Sequence, residues 1–98
     1  MPEALSPREL KDALNTLIHW NGDSNGIHRT YTFADFPMVM RFMNDAVDFI
    51  EGLNHHPEWL NVYNRLEVSL RTHDAGNQVT QHDLQLAHLL DEHFNSRT

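Results

Sequence analysis

The chain has 98 residues, 40% of them hydrophobic, and no internal repeat or linker, so we expect one domain spanning residues 1–98. Its formal net charge of −7 at pH 7 has the wrong sign for direct contact with nucleic acid or an anionic membrane, and no apolar run approaches the roughly 20 residues of a membrane span. The lack of cysteine excludes disulfides, thiolate metal sites and cysteine nucleophiles, and it fits the reducing cytoplasm.

The first third of the chain predicts a helix followed by a hairpin. Ser6 and Glu9 form the two ends of a capping box that opens the helix. Its apolar residues then repeat at helical spacing, at Leu10, Ala13, Leu14, Leu17 and Ile18. The polar residues 21–26 predict a turn. The alternating segment Ile27–Phe33 predicts a strand, with a short partner strand around His19–Asn21.

A second helix is predicted to begin after Asp35, whose side chain can cap it. Its apolar stripe consists of Val39, Phe42, Met43, Ala46, Phe49, Ile50 and Leu53. Pro57 cannot continue a helix, and it disfavours helical geometry at the residue before it. We therefore expect His55 and His56 to lie just beyond the helix end.

The last part of the chain predicts a second hairpin and a third helix. Trp59–Tyr63 and Leu66–Thr72 are the predicted strands, joined tightly near Asn64 and Arg65, and the helix starts near Thr80. The order α-β-β-α-β-β-α indicates an α+β fold: a four-stranded antiparallel sheet with three helices packed on one face. The open face and free edge strands need cover, and self-association is the simplest cover.

Three histidines at the ends of predicted elements are the candidate catalytic groups: His55, His56 and His73. A free imidazole has a pKa of about 6.5, so it can donate and accept protons near neutral pH. A dehydration needs one group to protonate a leaving hydroxyl and another to accept a proton from the neighbouring atom. The three histidines therefore predict acid–base chemistry on a small molecule, against the alternative of inert polar residues.

Two carboxylates each have two interpretations. Glu51 lies one helical turn before His55 and either orients that imidazole or is an ordinary solvated side chain. Asp83 falls at the third position of the last helix, where it either caps the helix or serves the site. Three histidines and a carboxylate are also legitimate zinc ligands, but adjacent histidines project in different directions, so we predict no metal site.

The histidines belong to a longer set of residues at fixed spacing, namely Glu51, His55, His56, Pro57, Tyr63, His73 and Asp83, with Trp20, Arg29, Tyr31, Phe33 and Asp35 upstream. This set resembles the pterin-4a-carbinolamine dehydratase family, from roughly Leu5 to Phe94. The resemblance implies an α+β fold, dimers that join their sheets, and tetramers of those dimers. It also implies loss of water from 4a-hydroxytetrahydrobiopterin to give the quinonoid dihydropterin, which recycles the pterin of aromatic amino acid hydroxylases. It implies no metal or organic cofactor.

The resemblance also implies roles for individual residues. His56 and His73 are the acid–base pair, without an assignment of which is the acid, and His55 binds and orients the pterin. The residues that flank the substrate are Asn54, Arg71, Thr72 and Asp74, and those in supporting positions are Glu51 and Asp83. The family often has Gly-Gly where this chain has Gly76-Asn77, and a smaller polar residue in place of Arg71.

Two other functions stay open at this point. The first is a binding-only module that serves as the dimerisation cofactor of a transcription factor, as some members of the family do. The second is a pterin-binding role in molybdopterin metabolism. The intact set of three histidines favours the enzyme, because a pure interaction module has no need of three imidazoles in one cleft.

Overall fold

The structure is a computed structural model that describes residues 3–96, so the outermost residues of the predicted domain, 1–2 and 97–98, lie outside the described part. Its helices and strands are α1 (Pro7–Leu14), β1 (Asn21–Asp23), β2 (Gly26–Thr32), α2 (Phe36–Leu53), β3 (Glu58–Val62), β4 (Arg65–Leu70) and α3 (Gln81–Ser96), with a short 3₁₀ helix (His73–Ala75) before α3. The predicted α+β fold class and element order are confirmed.

The four strands form one antiparallel sheet in the order β1-β2-β4-β3. One face of the two central strands is buried, through Ile27, Tyr31, Leu66, Val68 and Leu70. Leu10 of α1, Phe42 of α2 and Leu90 of α3 belong to the same core. The edge strand β3 leaves Leu60 and Val62 exposed. The burial of these apolar side chains is the main free-energy contribution that holds the helices on the sheet.

The caps of the first two helices form as predicted. The side chain of Ser6 accepts a hydrogen bond from the Glu9 amide at 3.1 Å, and the Glu9 carboxylate accepts one from the Ser6 amide at 2.9 Å. Asp35 caps α2 by accepting from the Met38 amide at 3.0 Å. Each cap satisfies amides that have no partner within the helix, which fixes where the helix begins.

The end of α1 differs from the prediction. The helix stops at Leu14, and Ile18, which we assigned to its apolar stripe, is 76% exposed. The hydroxyl and the amide of Thr16 both donate to the Ala13 carbonyl, at 2.8 and 3.0 Å, and the Trp20 amide donates to the Leu17 carbonyl three residues back at 2.9 Å. Such local bonds compete with the next helical turn, so Leu17 enters the core while Ile18 turns outward.

The first hairpin lies later in the chain than predicted. Its first strand is Asn21–Asp23 rather than His19–Asn21, so half of the predicted turn 21–26 belongs to the strand. A Cβ atom at Gly22 would lie 2.1 Å from the Gly26 carbonyl oxygen across the hairpin. The glycine thus permits a close approach of the two strands, although the composition of the segment is typical of a turn.

Asp91 of α3 connects the last helix to the sheet. Its carboxylate accepts hydrogen bonds from the Trp20 indole at 3.1 Å, from the Arg29 guanidinium at 2.6 Å and from the Tyr31 hydroxyl at 2.5 Å. Burial raises the pKa of Tyr31, and the hydrogen bond to Asp91 raises it further. Tyr31 therefore stays a neutral donor to the carboxylate.

Replacement of Asp91 by alanine should destabilise the fold. The largely buried Arg29 would lose its carboxylate, and Tyr31 and Trp20 would lose their acceptor, which should lower the free energy of unfolding by about 3 kcal/mol. Urea unfolding followed by circular dichroism measures this change, with Asp48→Ala on the exposed side of α2 as the control. A loss of less than about 0.5 kcal/mol, the range of ordinary surface changes, would contradict the structural role of Asp91.

Candidate active site

The end of α2 places two histidines as the sequence predicts. Asn54 ends the helix in the left-handed conformation, with φ 51°, and its amide donates to the Glu51 carbonyl at 3.0 Å. Asparagine is one of the few residues that adopts this conformation readily. The chain therefore leaves the helix axis before His55 and His56, and Pro57 keeps it extended toward β3.

A short closed loop after β4 carries the third histidine. The Thr72 amide donates to the Gln78 carbonyl at 2.9 Å, which closes the loop, and the 3₁₀ helix begins within it at His73. Gly76 and Asn77 follow in left-handed conformations. The end of α2 and this loop line a cavity of about 220 Å³ through Asn54, His55, His56, Arg71, Thr72, His73 and Asp74.

These seven lining residues are the seven that we predicted to bind substrate, so the structure brings the whole set together. A larger hollow of about 340 Å³ lies between α1 and the first hairpin, and its described lining includes no histidine. Volume alone therefore does not identify the site, whereas the grouping of proton-exchanging side chains does.

Asp83 is fully buried, and it both caps α3 and contacts the site. One carboxylate oxygen lies 2.6 Å from Nε2 of His55. The other accepts from the Thr72 hydroxyl at 2.8 Å and from the Thr80 amide at 2.9 Å. Asp83 thus satisfies an amide at the start of α3 and also contacts a predicted site residue, and its service to the site stays a prediction. A ring held by a fixed carboxylate has a defined orientation, so Asp83 positions His55 against the cavity.

Glu51 contacts a different histidine from the one we predicted. Its Oε2 lies 2.5 Å from Nε2 of His56, and both side chains are exposed. Of the two interpretations of Glu51, the one in which it orients His55 does not hold, because the left-handed turn at Asn54 removes His55 from the face of α2. His55 pairs with Asp83 instead.

His73 has a partner that sequence analysis missed. Its Nδ1 lies 3.0 Å from the side-chain oxygen of Asn77, four residues later in the same loop. A second omission is His82, whose ring centroid lies 5.6 Å from that of His55. The sequence carries a signal for each: Asn77 stands where the family often has glycine, and His82 directly precedes Asp83.

Arg71 forms part of the cavity wall and packs against the start of β2. Its Nη1 lies 3.3 Å from the exposed Glu58 carboxylate, and its buried Nε has no hydrogen-bond partner within residues 3–96. A Cβ atom at Gly26 would lie 2.8 Å from Nη2. The glycine at this position therefore makes room for the guanidinium.

The arrangement suits proton transfer more than metal binding. Each of the three histidines has one ring nitrogen next to an oxygen of Asp83, Glu51 or Asn77. An oxygen acceptor holds the proton on the nitrogen it faces, which in a neutral ring leaves the other nitrogen as a base. Within residues 3–96, no three histidine, aspartate or glutamate side chains are grouped so as to hold a metal ion. None of the helices in this part of the chain could span a bilayer.

Known proteins match this chain over nearly its whole length. The sequence model of a family described as pterin 4 alpha carbinolamine dehydratase matches residues 3–93. A protein of Solibacter usitatus is 47% identical over 91 residues, which make up 93% of this chain and 95% of that protein. A protein of Opitutus terrae is 44% identical, over 89% of this chain and 90% of its own. Both are provisionally named pterin-4-alpha-carbinolamine dehydratases.

A solved structure also matches the fold of this chain over most of its length. The crystal structure of a Brucella melitensis protein, described as a transcriptional coactivator/pterin dehydratase, aligns with a TM-score of 0.85 and 37% sequence identity. The alignment covers 91% of this chain and 96% of that one. The likeness therefore extends over most of the fold.

Proposed function

Because the chain belongs to the pterin-4a-carbinolamine dehydratase family and is a dehydratase, we propose that it removes water from 4a-hydroxytetrahydrobiopterin by histidine acid–base catalysis. One histidine gives a proton to the 4a-hydroxyl, the C4a–O bond breaks and water leaves. Another histidine takes the proton from N5, and a C4a–N5 double bond forms. The product is the quinonoid dihydropterin, and the reaction needs no metal or organic cofactor.

The observation that carries this proposal is the grouping of three imidazoles on one cavity wall, each with one nitrogen next to a protein oxygen. Dehydration needs an acid and a base at the same time, and a positioned group of either kind contributes roughly 10²–10⁴ in rate. A cavity with several imidazoles supplies both, without any other chemical group.

The partners of the histidines support a division of roles. Nε2 of His56 faces the Glu51 carboxylate, a partner that suits a proton donor, whereas Nδ1 of His73 faces the neutral amide of Asn77, a partner that suits a base. His55, held by the buried Asp83, would bind and orient the pterin. The other lining residues, Asn54, Arg71, Thr72 and Asp74, would flank the substrate.

The wider setting of the reaction is part of the same proposal. One domain spanning residues 1–98 would recycle the pterin used by an aromatic amino acid hydroxylase, as a homodimer or homotetramer. The exposed Leu60 and Val62 on the edge strand β3 support association between sheets. A cytoplasmic location stays a prediction from the sequence.

A second candidate is a protein-binding role beside or instead of catalysis. The Brucella melitensis relative is described as a coactivator as well as a pterin dehydratase, which favours this alternative over a role in molybdopterin metabolism. The exposed apolar residues on β3 would suit a protein partner as well as a second copy of the chain. The two functions differ in whether the cavity turns over a pterin.

Stopped-flow absorbance of chemically generated 4a-hydroxytetrahydrobiopterin tests the proposal. The protein should accelerate dehydration well above the spontaneous rate. An acceleration that saturates with substrate would establish turnover. If dehydration in the presence of folded protein is no faster than the spontaneous reaction, the catalytic proposal is overturned and the binding role is favoured.

A further inference from the structure

The loop that carries His73 contains an asparagine in a left-handed backbone conformation, Asn77. This residue has φ 62°, in the left-handed region, directly after the left-handed Gly76. Glycine adopts this conformation without cost, and asparagine is among the few other residues that tolerate it. Asparagine thus preserves the loop while adding a side chain that glycine lacks.

The added side chain contacts the histidine that we propose as the base. The Asn77 side-chain oxygen lies 3.0 Å from Nδ1 of His73. An amide oxygen can only accept a hydrogen bond, so a neutral His73 must carry its proton on Nδ1. Its Nε2, which has no hydrogen-bond partner within residues 3–96, then carries the lone pair that can take a proton.

We propose that Asn77 is a positioning residue that holds His73 in the tautomer with a basic Nε2. The inference rests on the proposed catalytic role of His73, and it adds a residue beyond the three histidines to the proton-transfer machinery. Asn77 is not among the residues that line the cavity. It acts through the ring that it orients, as outer partners of catalytic histidines commonly do.

The loop does not depend on this side chain for its shape. Backbone bonds already close it, from the Thr72 amide to the Gln78 carbonyl at 2.9 Å and from the Gly76 amide to the His73 carbonyl at 3.2 Å. The Val79 amide, just after the loop, donates to the Ser24 carbonyl at 3.0 Å. Removal of the Asn77 side chain should therefore release the ring and leave the loop in place.

Three variants distinguish a role of Asn77 in positioning the His73 ring from a role in holding the shape of the loop. Asn77→Gly keeps the left-handed backbone and removes the acceptor. Asn77→Asp keeps an acceptor oxygen and tolerates the same backbone. Gln78→Ala alters the exposed neighbour and leaves its backbone bond to Thr72 intact, so it is the matched control.

The direct measurement is long-range ¹H–¹⁵N NMR of His73 in the substrate-free protein, above about pH 8, where a free imidazole is neutral. The wild type, Asn77→Asp and Gln78→Ala should show the proton on Nδ1. Asn77→Gly should shift the ring toward the tautomer with the proton on Nε2. The same tautomer in the wild type and Asn77→Gly would overturn the inference.

Kinetics give a second test. Asn77→Gly should lower kcat about tenfold with little change in KM, a loss typical of outer partners and smaller than the loss of a whole base. Asn77→Asp should recover most of kcat and move the acidic limb of the pH profile to higher pH, because its charge favours the protonated ring. The other charged or titratable groups on the cavity wall, His55, His56, Arg71 and Asp74, are the same in all variants. Equal kcat in Asn77→Gly and wild type would contradict the role.

The outcomes keep the two proposals apart. If no form of the protein accelerates dehydration, the proposed function fails while the NMR result still reports on Asn77. If the wild type is active and both Asn77 variants match it in kcat and tautomer, only the positioning role fails.

Discussion

Replacement of both His56 and His73 by alanine should lower kcat for dehydration by at least about 10³-fold, while the protein stays folded. Both side chains are exposed at the cavity and neither contributes to the core, so their removal costs little stability. In each single variant, kcat should fall by a factor of roughly 10²–10⁴. The double variant should lose less than the product of the two, because the two groups act in the same step. Stopped-flow absorbance gives kcat, and circular dichroism gives the fold.

His88→Ala is the matched control, because this exposed histidine lies on α3 outside the cavity lining. Its kcat should equal that of the wild type. Wild-type turnover in the double variant would exclude His56 and His73 as the acid–base pair. If only one of the two single variants keeps full activity, the replaced histidine is not part of the acid–base pair. His55, the remaining imidazole of the cavity, would then take its place in the pair.

Replacement of Asp83 by alanine should damage stability and catalysis together. The change leaves the Thr72 hydroxyl, the Thr80 amide and Nε2 of His55 without their buried acceptor. The loss of one side of a buried charged network costs about 3–5 kcal/mol in the free energy of unfolding. The activity that remains should also fall, because His55 is no longer held.

Asp83→Asn distinguishes charge from shape. The amide has the same size and one acceptor oxygen, so it should recover part of the stability and less of the activity. Urea unfolding and stopped-flow rates measured on the same samples give both quantities, with the exposed Asp45→Ala on α2 as the control. An Asp83→Ala protein with wild-type stability would contradict the account of this carboxylate.

Local patterns predict the parts of this molecule that depend on a few neighbouring residues. The capping box of Ser6 and Glu9, the cap at Asp35 and the helix end before His55 each follow from side chains within a few positions of one another. The site residues come together because the end of α2 and the segment after β4 line one cavity. The spacing of the family motif names those residues but not the contacts between them.

The rest depends on contacts between distant parts of the chain and on one local turn of the backbone. Trp20 and Asp91 are 71 positions apart, and nothing near either residue predicts their bond. The partner of Glu51 could not be predicted either, because a single left-handed residue at Asn54 decides which imidazole it meets. The first outcome follows from tertiary geometry and the second from local backbone geometry, and helical periodicity predicts neither.

The contacts of Asp83 couple the ring of His55 to the beginning of α3. The same carboxylate holds the ring of His55 in the cavity and the amide of Thr80 just before α3, so fraying of that helix end would release His55. A ligand that orders His55 should in turn oppose the opening of the helix end. The exchange of the Thr80 amide hydrogen with solvent then becomes a reporter of cavity occupancy, and it should slow when a pterin is bound.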